Sequence, residues 1–283
     1  MKKERKIGIV CCSNGQPAGN KDQINMLEKV LVSIGYFPVF SDYIYAEVSP
    51  FSGTGIQRAK ALMDFYKDDS IEDIFDISGG DLANEILPYL DYDMIGNTKK
   101  RFWGYSDLTT VINAIYSQTG NPSVLYQIRN LVREHSEDQI RTFSSTMLNG
   151  GQELFDLEYE FIQGKGMSGI VTGGNIRCLL KLAGTRYWPD MSGKILLLES
   201  LGGKVPQMVT YLNQLAQIGV FEKINGILLG TFTTMEAEQC IPSMPELLRR
   251  YAGETLPIAV THQIGHGSDS KAIVIGGELT LAP

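Results

Sequence analysis

Within residues 1–120 the chain passes four times from a short apolar run to a segment of helical period. "KIGIVCC" leads to "DQINMLEKVLVSIG", where Ile24, Leu27, Val30 and Leu31 recur at helical spacing and Gly35 closes the pattern. "YFPVF" leads to "GIQRAKALMDFYKD", "IEDIFDIS" to "GGDLANEILPYL", and "KRFWGY" to "SDLTTVINAIYSQTG". Short links between such units leave parallel strands little choice but to lie side by side, with the helices covering the sheet. The prediction is an α/β protein whose N-terminal domain, 1–120, is a parallel sheet.

The pattern weakens over 121–165, which reads as a linker region with one plausible helix and polar loops. Strand-like runs return in "GKILLLES", "INGILLGTF", "IAVTHQIG" and "KAIVIGGELTLA", around helical segments at "IRCLLKLAG" and "VPQMVTYLNQLAQIG". A smaller, β-rich α/β domain is expected over 166–283. No repeat and no low-complexity tract occurs.

Composition closes off several partners. The formal net charge of −7 opposes a phosphate backbone, so nucleic acid is not expected. No apolar run is long enough to cross a bilayer as a helix. The basic start, "MKKER", reads as a polar tail before a buried strand rather than as a targeting signal. Cys11, Cys12, Cys178 and Cys240 form no C-x-x-C pair and have no histidine at metal-ligand spacing. They read as small buried hydrophobes in a reducing, cytoplasmic setting, with no metal site.

Chemistry is expected where parallel strands end, because ligands of open sheets bind outside the strands' carboxyl ends. Two glycine-bearing junctions lie there, "DISGGD" (76–81) and "GYSD" (104–107). Glycine admits close backbone approach, and a helix start offers unpaired N–H groups. Ser106 or Asp107 can be the N-cap of the following helix, or Ser106 can be a nucleophile on a sharp turn. The elbow pattern G-x-S-x-G is incomplete, since Leu108 stands at its second glycine. Among three histidines, His135 sits in a charged stretch, while His262 and His266 share the loop "THQIGHGSDS". His266, between two glycines, is either a turn residue or a base. Glu199, at the end of "KILLLE", is either the acid of a helix start or the partner of that base. Two other readings stand beside a hydrolase: a non-catalytic binding protein using both turns to hold an anion, and a glycosidase drawing a carboxylate pair from Asp81, Asp107 and Glu199.

Five segments, in this order, resemble the LD-carboxypeptidase family of serine peptidases, which includes the microcin C self-immunity carboxypeptidase. They are "ISGGDLANEILPYLDYDMI", "KRFWGYSDLTTVINAI", "VTGGNIRCLLKLAGTRYWPDMSGKILLLES", "NGILLGTF" and "IGHGSDSKAIVIGGELTLA". The resemblance implies Ser106 as nucleophile, His266 as base and Glu199 as its orienting partner. It implies the backbone N–H groups of Gly80 and Asp107 as oxyanion hole, with Gly79 beside the substrate. A flavodoxin-like N-terminal domain, a β-rich C-terminal domain, a homodimer and no cofactor are implied too. The implied substrate is a murein tetrapeptide ending in D-alanine, or a microcin-like peptidyl nucleotide. Many members carry Arg-Gly-Gly where this chain has Ser78-Gly79-Gly80, which leans towards the microcin branch. A terminal carboxylate calls for a basic group, and Arg129 and Arg177 are the candidates.

Overall fold

The computed structural model describes residues 5–283, so the basic start at 1–4 lies outside the described residues. The strands are β1 (Arg5–Val10), β2 (Tyr36–Phe40), β3 (Ile71–Asp76), β4 (Phe102–Gly104), β5 (Ser123–Leu125), β6 (Glu160–Gln163), β7 (Met167–Asn175), β8 (Ile195–Ser200), β9 (Gly226–Phe232), β10 (Ile258–Val260), β11 (Ile273–Ile275) and β12 (Glu278–Leu281). They form two six-stranded sheets, ordered β11-β5-β4-β3-β1-β2 and β12-β7-β8-β9-β10-β6.

In the first sheet β2, β1, β3, β4 and β5 run parallel in the flavodoxin-like order 2-1-3-4-5. The central strands are short and apolar because both faces are covered. On β3, Ile74 joins the core beneath helices Gly55–Lys67 and Thr109–Thr119. Its neighbour Phe75 points the other way, to stack on Trp103 and meet Phe143 of helix Ser136–Asn149. In the second sheet β7 to β10 run parallel, with β12 and β6 antiparallel at the edges. The wholly buried β8 divides its leucines likewise. Leu196 and Leu198 face helices Val205–Gln217 and Met244–Ala252, while Leu197 faces the core that also holds Leu125 and Val111 of the N-terminal part. One apolar core therefore lies between the sheets and fixes them against each other.

Three details depart from the sequence reading. "GGDLANEILPYL" does not open an α-helix. Residues Ala83–Tyr89 form a 3-10 segment, since Pro88 supplies no N–H, and a new short helix starts at Tyr92 with the Asp91 carboxylate accepting from the Met94 N–H at 2.9 Å. The segment read as a linker, 121–165, carries β5, helix Ser136–Asn149 and β6, and is shared between the sheets. "KAIVIGGELTLA" is two strands rather than one. It turns at Gly276, whose φ is 85°, so that β11 pairs with β5 in the first sheet and β12 with β7 in the second.

Candidate active site

β4 ends at Gly104, and the chain reaches Ser106 through an extended Tyr105. Ser106 has φ 57°, a left-handed conformation that costs a non-glycine residue energy and recurs at functional turns. A 3-10 turn, Ser106–Leu108, then delivers the chain into helix Thr109–Thr119. Ser106 does not cap that helix with its side chain. Its Oγ lies 3.1 Å from His266 Nε2.

His266 Nδ1 is in turn 2.7 Å from Glu199 Oε2. Both side chains are buried, each 2% exposed. Glu199 reaches this point as the penultimate residue of β8, beside Asn175 on β7. His266 comes from the loop between β10 and β11, which lies directly on β9. The Thr231 N–H donates to the Ile264 carbonyl at 2.9 Å, and a side chain at Gly230 would collide with that same carbonyl. The Ser270 hydroxyl donates to the Gly265 carbonyl at 2.9 Å and pins the loop from within. The Tyr105 ring packs against the imidazole at 4.7 Å between centroids. His262 stays exposed on the same loop and lies outside this chain of hydrogen bonds.

The Gly79–Gly80 turn after β3 borders the same space. Gly80 has φ 121°, and a side chain there would overlap the Asn14 amide, whose Oδ1 accepts from the Asp81 N–H at 3.0 Å. Gly79 presents its α-carbon towards Ser106. Gly80, Ser106, Asn175, Arg177 and the turn 200–203 line a cavity of about 420 Å³.

Asp107 is not a helix cap either. It is fully buried, with Oδ2 accepting from the Ser13 hydroxyl at 2.6 Å and the Ala83 N–H at 2.8 Å, and Oδ1 from Lys181 Nζ at 2.5 Å. These bonds tie the Ser106 turn to the loops that follow β1 and β3 and to the residue after helix Ile176–Leu180. Lys181 and Ser13 are absent from the sequence reading: a single lysine in "IRCLLKLAG" carries no spacing that marks it, and a serine after a strand is commonplace. Asp81 pairs with Arg177, which holds its carboxyl below the ordinary range, and Arg177 also donates to the Gly80 carbonyl at 3.1 Å. With Asp107 sealed and Asp81 paired, Asp81, Asp107 and Glu199 supply no carboxylate pair of the kind a glycosidase requires. Arg129 stands apart from this cluster, donating from Nη1 to Gln16 Oε1 at 3.0 Å. The thiols of Cys11, Cys12 and Cys178 are pushed up in pKa by burial, and all four cysteines are free.

Residues 7–126 match the LD-carboxypeptidase N-terminal domain, and residues 168–281 match the LD-carboxypeptidase C-terminal domain. The chain belongs to the LD-carboxypeptidase family. A Vibrio cholerae protein named "Putative carboxypeptidase" is 28% identical over 63% of this chain, and the match spans 62% of that protein's own length. A Bacillus subtilis protein named "Probable murein peptide carboxypeptidase" is 28% identical over 81% of this chain and 75% of its own. The fold matches that of the microcin C7 self-immunity protein MccF in complex with aspartyl sulfamoyl adenosine. The TM-score is 0.86 at 20% identity, covering 100% of this chain and 94% of that one.

The position of Lys181 gives a first expected result. Lys181→Met leaves the carboxylate of Asp107 in a fully buried place with only two of its three donors. Removing one partner of a buried ion pair is destabilising, here by about 3 kcal/mol because Lys181 keeps some access to solvent. Urea denaturation checks it, and Lys181→Arg, which restores the charge, should recover part of the loss.

Proposed function

We propose that this protein is a serine carboxypeptidase that removes the terminal D-alanine from a murein tetrapeptide. The hydrogen-bonded chain Ser106–His266–Glu199 carries the proposal. In this reading His266 Nε2 takes the proton of Ser106 as Oγ attacks the amide carbonyl. Glu199 holds Nδ1–H, fixing the tautomer and stabilising the imidazolium that forms. The N–H groups of Gly80 and Asp107 receive the oxyanion. Gly80 lining the cavity with Ser106, and Asp107 directly following Ser106 in the turn, support that assignment. His266 then returns the proton to the leaving amine, and water releases the acyl group from Ser106. The name of the Bacillus subtilis relative supports a murein peptide as substrate.

The test is incubation with a tetrapeptide ending in D-alanine, followed by chiral detection of free D-alanine. Release supports the proposal. Intact peptide, with the protein folded, defeats the murein assignment. A second reading then takes its place, a peptidyl nucleotide as substrate. It is favoured by the complex of MccF with aspartyl sulfamoyl adenosine and by Ser78 in place of the arginine common in the family. Cleavage of an aminoacyl sulfamoyl adenosine is its direct assay.

A further inference from the structure

Two cavities border the Gly79–Gly80 turn beside Ser106. One, described above, opens between Gly80 and the turn 200–203. The other, of about 560 Å³, is lined by Gly79, Asn14, Gln16, Pro50 and Arg129 among others. Gly79 belongs to the second and Gly80 to the first, so the two lie on either side of the turn that faces Ser106.

Serine catalysis gives these two sides different tasks. The imidazole must protonate the leaving nitrogen, so the leaving residue lies on the His266 side of the scissile bond. Tyr105 packs against His266, and Asn130, the residue after Arg129, donates from Nδ2 to the Gly267 carbonyl of the histidine loop at 3.4 Å. The His266 side is thus the arginine side. Of the two arginine candidates, Arg177 is already paired with Asp81. Arg129 forms no ion pair among the described residues, and its Nε is buried without a hydrogen-bond partner there. Burial and the neighbouring charge of Arg133 both lower its pKa, so an anion at this place would relieve it. The other ionisable group on the wall, Glu47, is exposed.

We propose that the cavity bounded by Gly79 and Arg129 receives the leaving residue, and that Arg129 binds its terminal carboxylate. The inference rests on the serine-carboxypeptidase reading above. It assigns the other cavity to the acyl side of the substrate. It also explains how the site would select a chain end: the carboxylate of a terminal residue is two bonds from the leaving nitrogen, within reach of one fixed cation, whereas a continuing chain brings none. A guanidinium recognises such a group through paired N–H donors.

The experiment measures binding to the Ser106→Ala protein by calorimetry, using a tetrapeptide with a free D-alanine carboxylate and the same peptide ending in D-alaninamide. A preference for the acid of about 10²-fold is expected, from the cost of leaving a charge partner unpaired. Adding Arg129→Met should bring acid and amide within about threefold of each other, and Arg129→Lys should restore part of the ratio. The ratio is the readout, because a merely structural role for Arg129 would weaken both peptides together. Equal binding of acid and amide before Arg129 is changed, no binding of either, or an unchanged ratio in Arg129→Met, would overturn the inference. An Arg129-dependent preference with no D-alanine released by the unmodified protein would keep the carboxylate site and overturn the hydrolysis reading instead.

Discussion

Ser106→Ala is expected to lower the rate of D-alanine release by about 10⁵-fold and to leave the melting temperature within a degree or two of the parent. Both halves of the expectation come from the turn. Ser106 uses its hydroxyl on His266 and not on the backbone of the following helix, so the substitution removes the proposed nucleophile without removing a cap. Alanine at φ 57° suffers the same backbone strain as serine. The turn is held by Asp107, whose three hydrogen bonds to Ser13, Ala83 and Lys181 are untouched. Steady-state assay of the purified variant, with circular dichroism melting alongside, decides it. Retention of more than a few per cent of the rate would remove Ser106 from the reaction.

Glu199→Gln carries the second-largest expected effect, a fall in kcat on the order of 10⁴-fold with little change in KM. The loss has two parts. A glutamine lacks the charge that stabilises the imidazolium. Its amide can also present N–H to Nδ1, which moves the proton to Nε2 and leaves the ring unable to accept from Ser106. Stability should move the other way or not at all. The Glu199 side chain is buried, and its Oε1 has no hydrogen-bond partner among the described residues. A charge held there is expensive, and the neutral isostere relieves it. The measurement is kcat and KM together with a urea denaturation midpoint. A stability loss that accounts for the activity loss would make Glu199 a structural residue only.

The first sheet was readable because each of its units is local. A run such as "IEDIFDIS" followed by a helical period needs no distant residue to declare itself, and the parallel order follows from the repetition. The hydrogen-bonded triplet was readable for a different reason. Ser106, Glu199 and His266 each sit in a short motif at a strand end, and the family resemblance supplied the pairing that no local pattern can. What stayed hidden depends on contacts between distant positions. Lys181 meets Asp107 across 74 positions, and Ser13 meets it across 94. Neither contact leaves a periodic trace. The split of "KAIVIGGELTLA" was hidden for a related reason. Two glycines in an apolar run mark a turn, but only the packed molecule shows that the strands on either side belong to different sheets.

That split bears on how the protein holds together. The histidine loop leaves the second sheet at β10 and enters the first at β11, before the chain returns to the second at β12. The last strands thus stitch the halves to each other, and the imidazole rides on the thread. A fragment ending before β11 would expose the edge of β5, an invitation to pair with another chain. The expected result is that neither half folds by itself, and that heating shows a single cooperative loss of both sheets. Assembly of the two halves and assembly of the hydrogen-bonded triplet are then the same event.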